Sequence, residues 1–295
     1  MNIQSLSIVV PTKNKCVNSC KFCVSRTHTN PYVDRINTII RKKNIVFEEN
    51  LECKDYFNRL QFARDNGCNV VVLTGTGEPI QNMKFIEFFS KVNSTLTTPF
   101  KSIEIQTTGV LLTENILKDL RGFGVTTISF SISNIFDNER NLELIGCIEK
   151  LKFNVFDTIK LVKKYDFNLR LSLNLVNDFD KYSVEEVIER CKELGADQVT
   201  FRKLYKSELN NDIDKWIEEN ASTVFYNKLV DYVKNNGRLL GILPFGAAVY
   251  DIEEMSICID ADCMNEEVKD TYKYLILREN CKLYSRWETR ASLVF

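Results

Sequence analysis

The chain has 295 residues, 39 Lys and Arg against 40 Asp and Glu, a net charge of −1 and 44% hydrophobic residues. Such values fit one large globular domain or a domain with an appendage, exclude a disordered, collagen-like or coiled-coil chain, and give no global nucleic-acid footprint. Ten Cys beside a single His, His28, all but exclude a multi-His metal site or a His-based triad. Apolar runs such as residues 70–73 fall far short of the roughly 18 to 20 residues that span a bilayer. The start, MNIQSLSIVVPTKNK, lacks the charged beginning, apolar run and small-residue cleavage site of a secretory signal. The expectation is a cytoplasmic protein without membrane contact. Its Cys are then thiols or metal ligands, because reducing compartments keep structural disulfides rare.

Six short β-branched runs recur along the chain, at 6–10, 69–74, 102–107, 126–131, 169–176 and 198–205. Amphipathic stretches of helical period lie between them, at 51–66, 82–94, 113–122, 154–166 and 183–194. Asn82, Thr113, Asn154 and Ser183 are N-caps for the last four. This alternation predicts βα units around a parallel sheet, either doubly wound or an open barrel. After residue 205 the pattern breaks. A charged helix over 211–236 is followed by strand-like pieces at 239–243, 255–259 and 272–277, the last opening a hairpin with its turn near 278–280. A soft boundary at 206–237 divides the chain into a unit over 1–206, with a loop over 11–30, and an extension over 207–295 expected to cover it.

That loop carries CVNSCKFC, a Cys-x3-Cys-x2-Cys array of Cys16, Cys20 and Cys23 just after the first strand. Three thiolates within eight residues converge readily on one soft metal centre, and α/β folds place ligands at the carboxyl ends of strands. On the residues alone the centre is an iron-sulfur cluster, or zinc with a fourth ligand from His28 or a distant Cys, or the thiols stay unliganded. After the second strand stands TGTGEP, residues 74–79. Taken alone, its glycines also suit an ordinary strand-to-helix turn.

With Phe22 just before the last Cys, the array, its position and the TGTGEP segment together resemble the radical S-adenosylmethionine (radical SAM) superfamily over about residues 5–205. The resemblance implies an α/β fold, a partial (βα)6 barrel, here with a C-terminal α+β extension. It implies a [4Fe-4S] cluster on Cys16, Cys20 and Cys23, whose open iron is chelated by the methionine moiety of S-adenosylmethionine (SAM). Backbone carbonyls of Gly75, Thr76 and Gly77 would receive the cofactor's amino group in a turn shaped by Glu78 and Pro79, with Thr76 standing where relatives often carry Gly. Polar residues at later strand ends extend the implied pocket: Gln106 and Thr108, Ser131 and Ser133, Asn174, and Arg202 rather than Lys203. The Gly-rich fifth-strand pattern of many relatives is absent from LRLSLNLV.

The resemblance further implies reductive cleavage of SAM and hydrogen abstraction from a substrate by a 5′-deoxyadenosyl radical. An electron donor such as flavodoxin or ferredoxin is then needed. The short chain favours a small-molecule substrate, a nucleotide or cofactor precursor. Modification of a peptide, protein or RNA is the alternative within the family, and a non-catalytic zinc or iron-sulfur module is the alternative outside it. Cys258, Cys263 and Cys281 lack a tight pair, and thiols without a cluster are expected there. His28 is expected to pack or cap on its loop.

Overall fold

The computed structural model describes residues 2–12, 15–27, 53–207, 209–243, 247–260, 271–287 and 290–295. Six βα repeats begin with β1 (Asn2–Val9), β2 (Val70–Thr74), β3 (Ser102–Thr107), β4 (Thr127–Ile132), β5 (Asn168–Asn174) and β6 (Gln198–Arg202). A short helix, α1 (Val24–Thr27), lies in the loop after β1. The connecting helices are α2 (Cys53–Asp65), α3 (Met83–Ser94), α4 (Glu114–Gly122), α5 (Asn138–Leu144), α6 (Val155–Lys164) and α7 (Val184–Glu193). The expected caps are in place. Asn82, Thr113, Asn154 and Ser183 each accept a backbone N–H of the first helical turn, and Ser183 shares a capping box with Glu186.

The strands run parallel in chain order, and the tail joins the same sheet at both margins. Helices α8 (Asp212–Asn220) and α9 (Phe225–Asn236) precede β7 (Arg238–Ile242), β8 (Ala248–Ile252), β9 (Met255–Asp260), β10 (Thr271–Leu277) and β11 (Leu283–Tyr284). The order is β11-β10-β1-β2-β3-β4-β5-β6-β9-β8-β7. β10 lies parallel to β1 and β9 parallel to β6, while β11, β8 and β7 are antiparallel additions. The expected boundary at 206 therefore falls between β6 and α8, and strands from beyond it continue the sheet. The expected hairpin is β10 with β11, turning at 278–282.

The helix expected over 211–236 is interrupted. Ala221 adopts extended backbone and forms an isolated bridge with Val176, and Ser222 N donates to Leu175 O at 3.0 Å. Asp180 Oδ1 then accepts Ser222 Oγ at 2.6 Å and Phe225 N at 2.9 Å, so the chain is tied to the loop after β5 before α9 begins.

Strand alternation sorts the sheet into two faces. One carries Val71, Leu73, Ile103, Ile105, Ile128, Phe130, Leu169, Leu171, Val199 and Phe201, all buried in one core with helix residues such as Leu117, Leu120, Ile159 and Val162. Parallel sheets usually bury apolar side chains on both faces. Here the other face is polar. The register sets Gln106 beside Ser129, then Arg170 and Gln198. One step further along come Ser131, Ser172, Thr200 and Cys258, and beyond them Asn174 beside Arg202. Glu104, 2% exposed, pairs with Arg170, whose fork also donates to Gln198 Oε1 at 2.7 and 2.9 Å. No helix among the described residues is long and apolar enough to cross a membrane.

Removing Glu104 leaves a largely enclosed Arg170 without its counter-charge. Glu104→Ala is expected to lower stability by about 2 kcal/mol, less than a fully buried pair because the Arg170 side chain keeps 30% exposure. A urea midpoint equal to that of the parent protein would contradict this.

Candidate functional site

The cysteine loop leaves β1 through Val10, whose N–H donates to Thr74 O at 2.7 Å. From there it is held at three places. After β2, Gln81 Oε1 accepts Val17 N at 3.3 Å while its Nε2 donates to Lys15 O at 3.3 Å, and Asn82 Nδ2 donates to Pro11 O at 2.7 Å. After β3, Thr108 Oγ1 accepts Asn18 Nδ2 at 2.7 Å. After β4, Ser19 N and Lys21 N donate to Ile145 O and Leu144 O at 3.1 and 3.0 Å. Gly146 has φ +60, and a Cβ on it would stand 2.6 Å from Ser19 O and 2.8 Å from its carbonyl carbon, so only glycine allows this approach. On its outer side Phe22 meets Trp216 of α8 at 6.1 Å between ring centres.

Cys16, Cys20 and Cys23 are half-buried thiols. Burial, and then the neighbouring sulfurs, push the Cys20 thiol far above its ordinary value. Burial also raises Cys16. The sulfurs thus share one neighbourhood, and Gln81, accepting Val17 N and Glu78 N, holds their loop beside the turn after β2. They are not gathered into a finished cage: among the described residues no set of three or more His, Cys, Asp and Glu side chains is arranged to hold a metal ion. Protonated thiols gain nothing by converging, whereas thiolates around a cation do. The donor set itself, three soft sulfurs on one loop, fits a soft iron centre better than a hard cation.

In the turn after β2, a Cβ on Gly75 would stand 2.9 Å from Val10 O, and one on Gly77 the same distance from Thr12 Oγ1. Gly75 is therefore required by contact with backbone leaving β1, whereas a side chain at Gly77 would have to displace that of Thr12. Thr76 is half-buried between them. Glu78 is 3% exposed, and its Oε2 accepts Thr108 N and Thr108 Oγ1, each at 3.1 Å. Burial raises its carboxyl above the usual range, opposed by hydrogen bonds from Thr107 and Thr108. Pro79 opens a short 3₁₀ turn, Pro79–Asn82, that feeds α3.

A second group forms at the ends of β4, β5 and β6. Asn174 Nδ2 donates to Ser131 Oγ at 3.1 Å and Ser133 Oγ at 3.3 Å, and Arg202 lies beside Asn174 in register. Ser133 is fully buried, its N–H donating to Asn141 Oδ1 at 2.9 Å. Lys203 lies just beyond β6, with Nζ 4.0 Å above the Tyr226 ring. Gln106 is half-buried on the polar face and shares neither group's hydrogen bonds. Thr108 joins the first group, with its hydroxyl committed to Glu78 and Asn18. His28 and Cys263 lie outside the described residues. Cys258 is on the polar face of β9, whereas Cys281 stands in the β10–β11 turn at φ +58.

The sequence reading passed over Asn18, Gln81, Asn141 and Gly146. It also missed α5, whose N-cap Asp137 accepts Arg140 N and whose carboxyl end supplies the carbonyls that hold the loop. Asp137 ahead of Leu142, Leu144 and Ile145 was the available signal.

A model of the radical SAM superfamily matches residues 10–191. An uncharacterized protein of Methanocaldococcus jannaschii is 25% identical over 227 residues, covering 70% of this chain and 73% of that protein. Among solved structures, Streptococcus suis SuiB bound to precursor peptide SuiA superposes with a TM-score of 0.56 at 14% identity, over 96% of this chain and 59% of that one. Escherichia coli coproporphyrinogen III oxidase, HemN, a radical SAM enzyme, gives 0.53 at 13%, over 94% of this chain and 63% of that one. This chain thus spans about three-fifths of those structures. At such identities the likeness speaks for the fold, a partial (βα)6 barrel extended by α+β elements at its carboxyl end, with the polar face inside.

Replacing Gly146 tests the third attachment. Gly146→Ala puts a methyl group into the Ser19 carbonyl at a positive φ and is expected to destabilise by about 1 to 3 kcal/mol. Protease cutting within 15–27 should rise in step. Unaltered denaturation and cutting would mean that the attachment is soft.

Proposed function

The chain belongs to the radical SAM superfamily, whose members use a [4Fe-4S] cluster and SAM, and on that premise we propose that it is an enzyme activating a C–H bond of a small polar substrate. Cys16, Cys20 and Cys23 hold the cluster in this reading, and the Gly75–Thr76–Gly77 backbone with Ser131, Ser133 and Asn174 holds the cofactor. The observation that carries it is Gln81, which accepts Val17 N and Glu78 N on one oxygen and donates to Lys15 O, bringing the cysteine loop and the glycine turn into one site. When bound, cluster and cofactor supply reductive SAM cleavage and hydrogen abstraction from an unactivated carbon.

The chain's own part is orientation and exclusion of water. Gln81, Asn82 and Thr108 fix the loop against the ends of β2 and β3, and the Gly75 and Gly77 contacts allow the turn to lie close to it. Asn174 links the two serine hydroxyls into one polar rim. Further in, the barrel is lined by Ser129, Ser172 and Thr200. Among the described residues, Ser129 Oγ and Glu104 Oε1 are buried without hydrogen-bond partners. Small hydroxyls of this kind suit a compact, hydrogen-bonding substrate, and Arg202 at the rim suits one that carries an anion. A nucleotide or cofactor precursor has both features. Flavodoxin or ferredoxin would deliver the electron.

A peptide substrate is the second reading, favoured by β7. That edge strand exposes Leu239, Leu240 and Ile242 by more than half, and an extended peptide pairs readily with such an edge.

Anaerobically reconstituted protein should bind iron and release 5′-deoxyadenosine from SAM under reduction. Cys20→Ala should lose the iron, the visible absorbance and SAM cleavage together; SAM cleavage that survives would move the cluster elsewhere. Arg202→Gln is expected to weaken binding of anionic candidate substrates about tenfold while leaving neutral ones unchanged. Equal binding of both classes by parent and variant would remove Arg202 from the substrate site.

A further inference from the structure

Asn18 stands between the first two cysteines and is 7% exposed. Its surroundings decide which way its carboxamide points. Glu78 Oε2 accepts the Thr108 backbone N–H at 3.1 Å and is therefore an acceptor oxygen, so the threonine hydroxyl, 3.1 Å from it, donates to it as well. The lone pair left on Thr108 must then receive a proton, and Asn18 Nδ2 supplies it at 2.7 Å. The order Asn18 to Thr108 to Glu78 is therefore imposed by chemistry, and the Asn18 carbonyl is turned the other way. That oxygen, Oδ1, is buried and accepts no hydrogen bond among the described residues. A buried acceptor without a donor is unfavourable and calls for a ligand or an ordered water.

The position selects between them. Val17 N, next to Asn18, and Glu78 N of the glycine turn both donate to Gln81 Oε1, at 3.3 and 3.2 Å, so the cysteine loop and the turn lie side by side. The oriented carbonyl thus belongs to a residue flanked by cluster cysteines, with the turn at Gly75–Glu78 beside it. We propose that Asn18 is a further cofactor-binding residue: its side-chain carbonyl accepts an N–H of the amino group of SAM, and Thr108 and Glu78 are the positioning residues that hold it in that orientation. The assignment rests on the reading of the cysteine loop and glycine turn as the cluster and SAM site. It gives the amino group a side-chain acceptor besides the backbone carbonyls of the turn.

The test uses reconstituted, iron-loaded protein and measures iron content, SAM affinity by equilibrium dialysis, and the change in the cluster's paramagnetic resonance spectrum on adding SAM. Asn18→Ala should keep its iron and bind SAM about tenfold more weakly. Thr108→Val, which leaves Asn18 in place but unoriented, should lose a similar factor, and Thr108→Ser should recover to within about twofold. A SAM analogue lacking only the amino group separates contact from loop shape. It should bind the parent protein and Asn18→Ala equally, because the interaction is already gone. Undiminished SAM affinity in Asn18→Ala overturns the proposal and leaves the carbonyl to water, as does an equal loss for SAM and the analogue. Should Asn18→Ala fail to retain iron, Thr108→Val against the same two ligands decides. Parent protein that binds neither iron nor SAM would instead refute the underlying site, a result distinct from either.

Discussion

The hydrogen-bonded run from Asn18 through Thr108 to Glu78 is the constraint on which the site depends. It joins three consecutive strand ends, those of β1, β2 and β3, through side chains that are all nine-tenths buried. Away from water such groups are held strongly when satisfied and are unfavourable when not, so the three loops share one geometry or none. Gln81 reinforces the same register from the glycine turn, because its one oxygen receives both Glu78 N and Val17 N. A loop bearing three sulfurs is thereby given the order of a core segment while lying at the mouth of the barrel.

The rest of the architecture provides that mouth. Helix-facing strand positions are almost all aliphatic or Phe, and inward positions from Gln106 to Arg202 are polar, so the sheet has a dry outside and a hydrogen-bonding inside. The Glu104–Arg170–Gln198 belt crosses the inside below the serine layer. Above it Asn174 joins Ser131 and Ser133 near the carboxyl ends, where the cysteine loop sits, while between belt and rim Ser129 Oγ is buried without a partner among the described residues. The single parallel direction of β1 to β6 puts all these ends on the same side.

Much of this was legible in the residues. The six strands follow from β-branched runs, and four helix starts follow from Asn and Ser/Thr caps, because both signals are local. The cysteine loop is recognised from spacing alone. Ser131, Ser133 and Asn174 meet because parity along a strand fixes which side chains share a face. What could not be read was decided by contacts between distant segments. The break at Ala221 exists because Val176 and Asp180 bind it. The pairing of β10 with β1 depends on a match between the two ends of the chain. Gly146 resembles any glycine after a helix until Ser19 is seen against it. Thr108 was read as a pocket residue from strand polarity, whereas the other two members of its network come from separate loops.

The register of Asn2 with Thr271 and Ile8 with Leu277 has a consequence for biosynthesis. β1 acquires its second neighbour only after the ribosome has made β2 through β9. Until then β1 keeps an open edge, and the loop behind it hangs from a sheet that can still pair wrongly. An iron centre on that loop would therefore find its finished cradle only once β10 has been made, so maturation follows synthesis of β10 rather than the appearance of the cysteines.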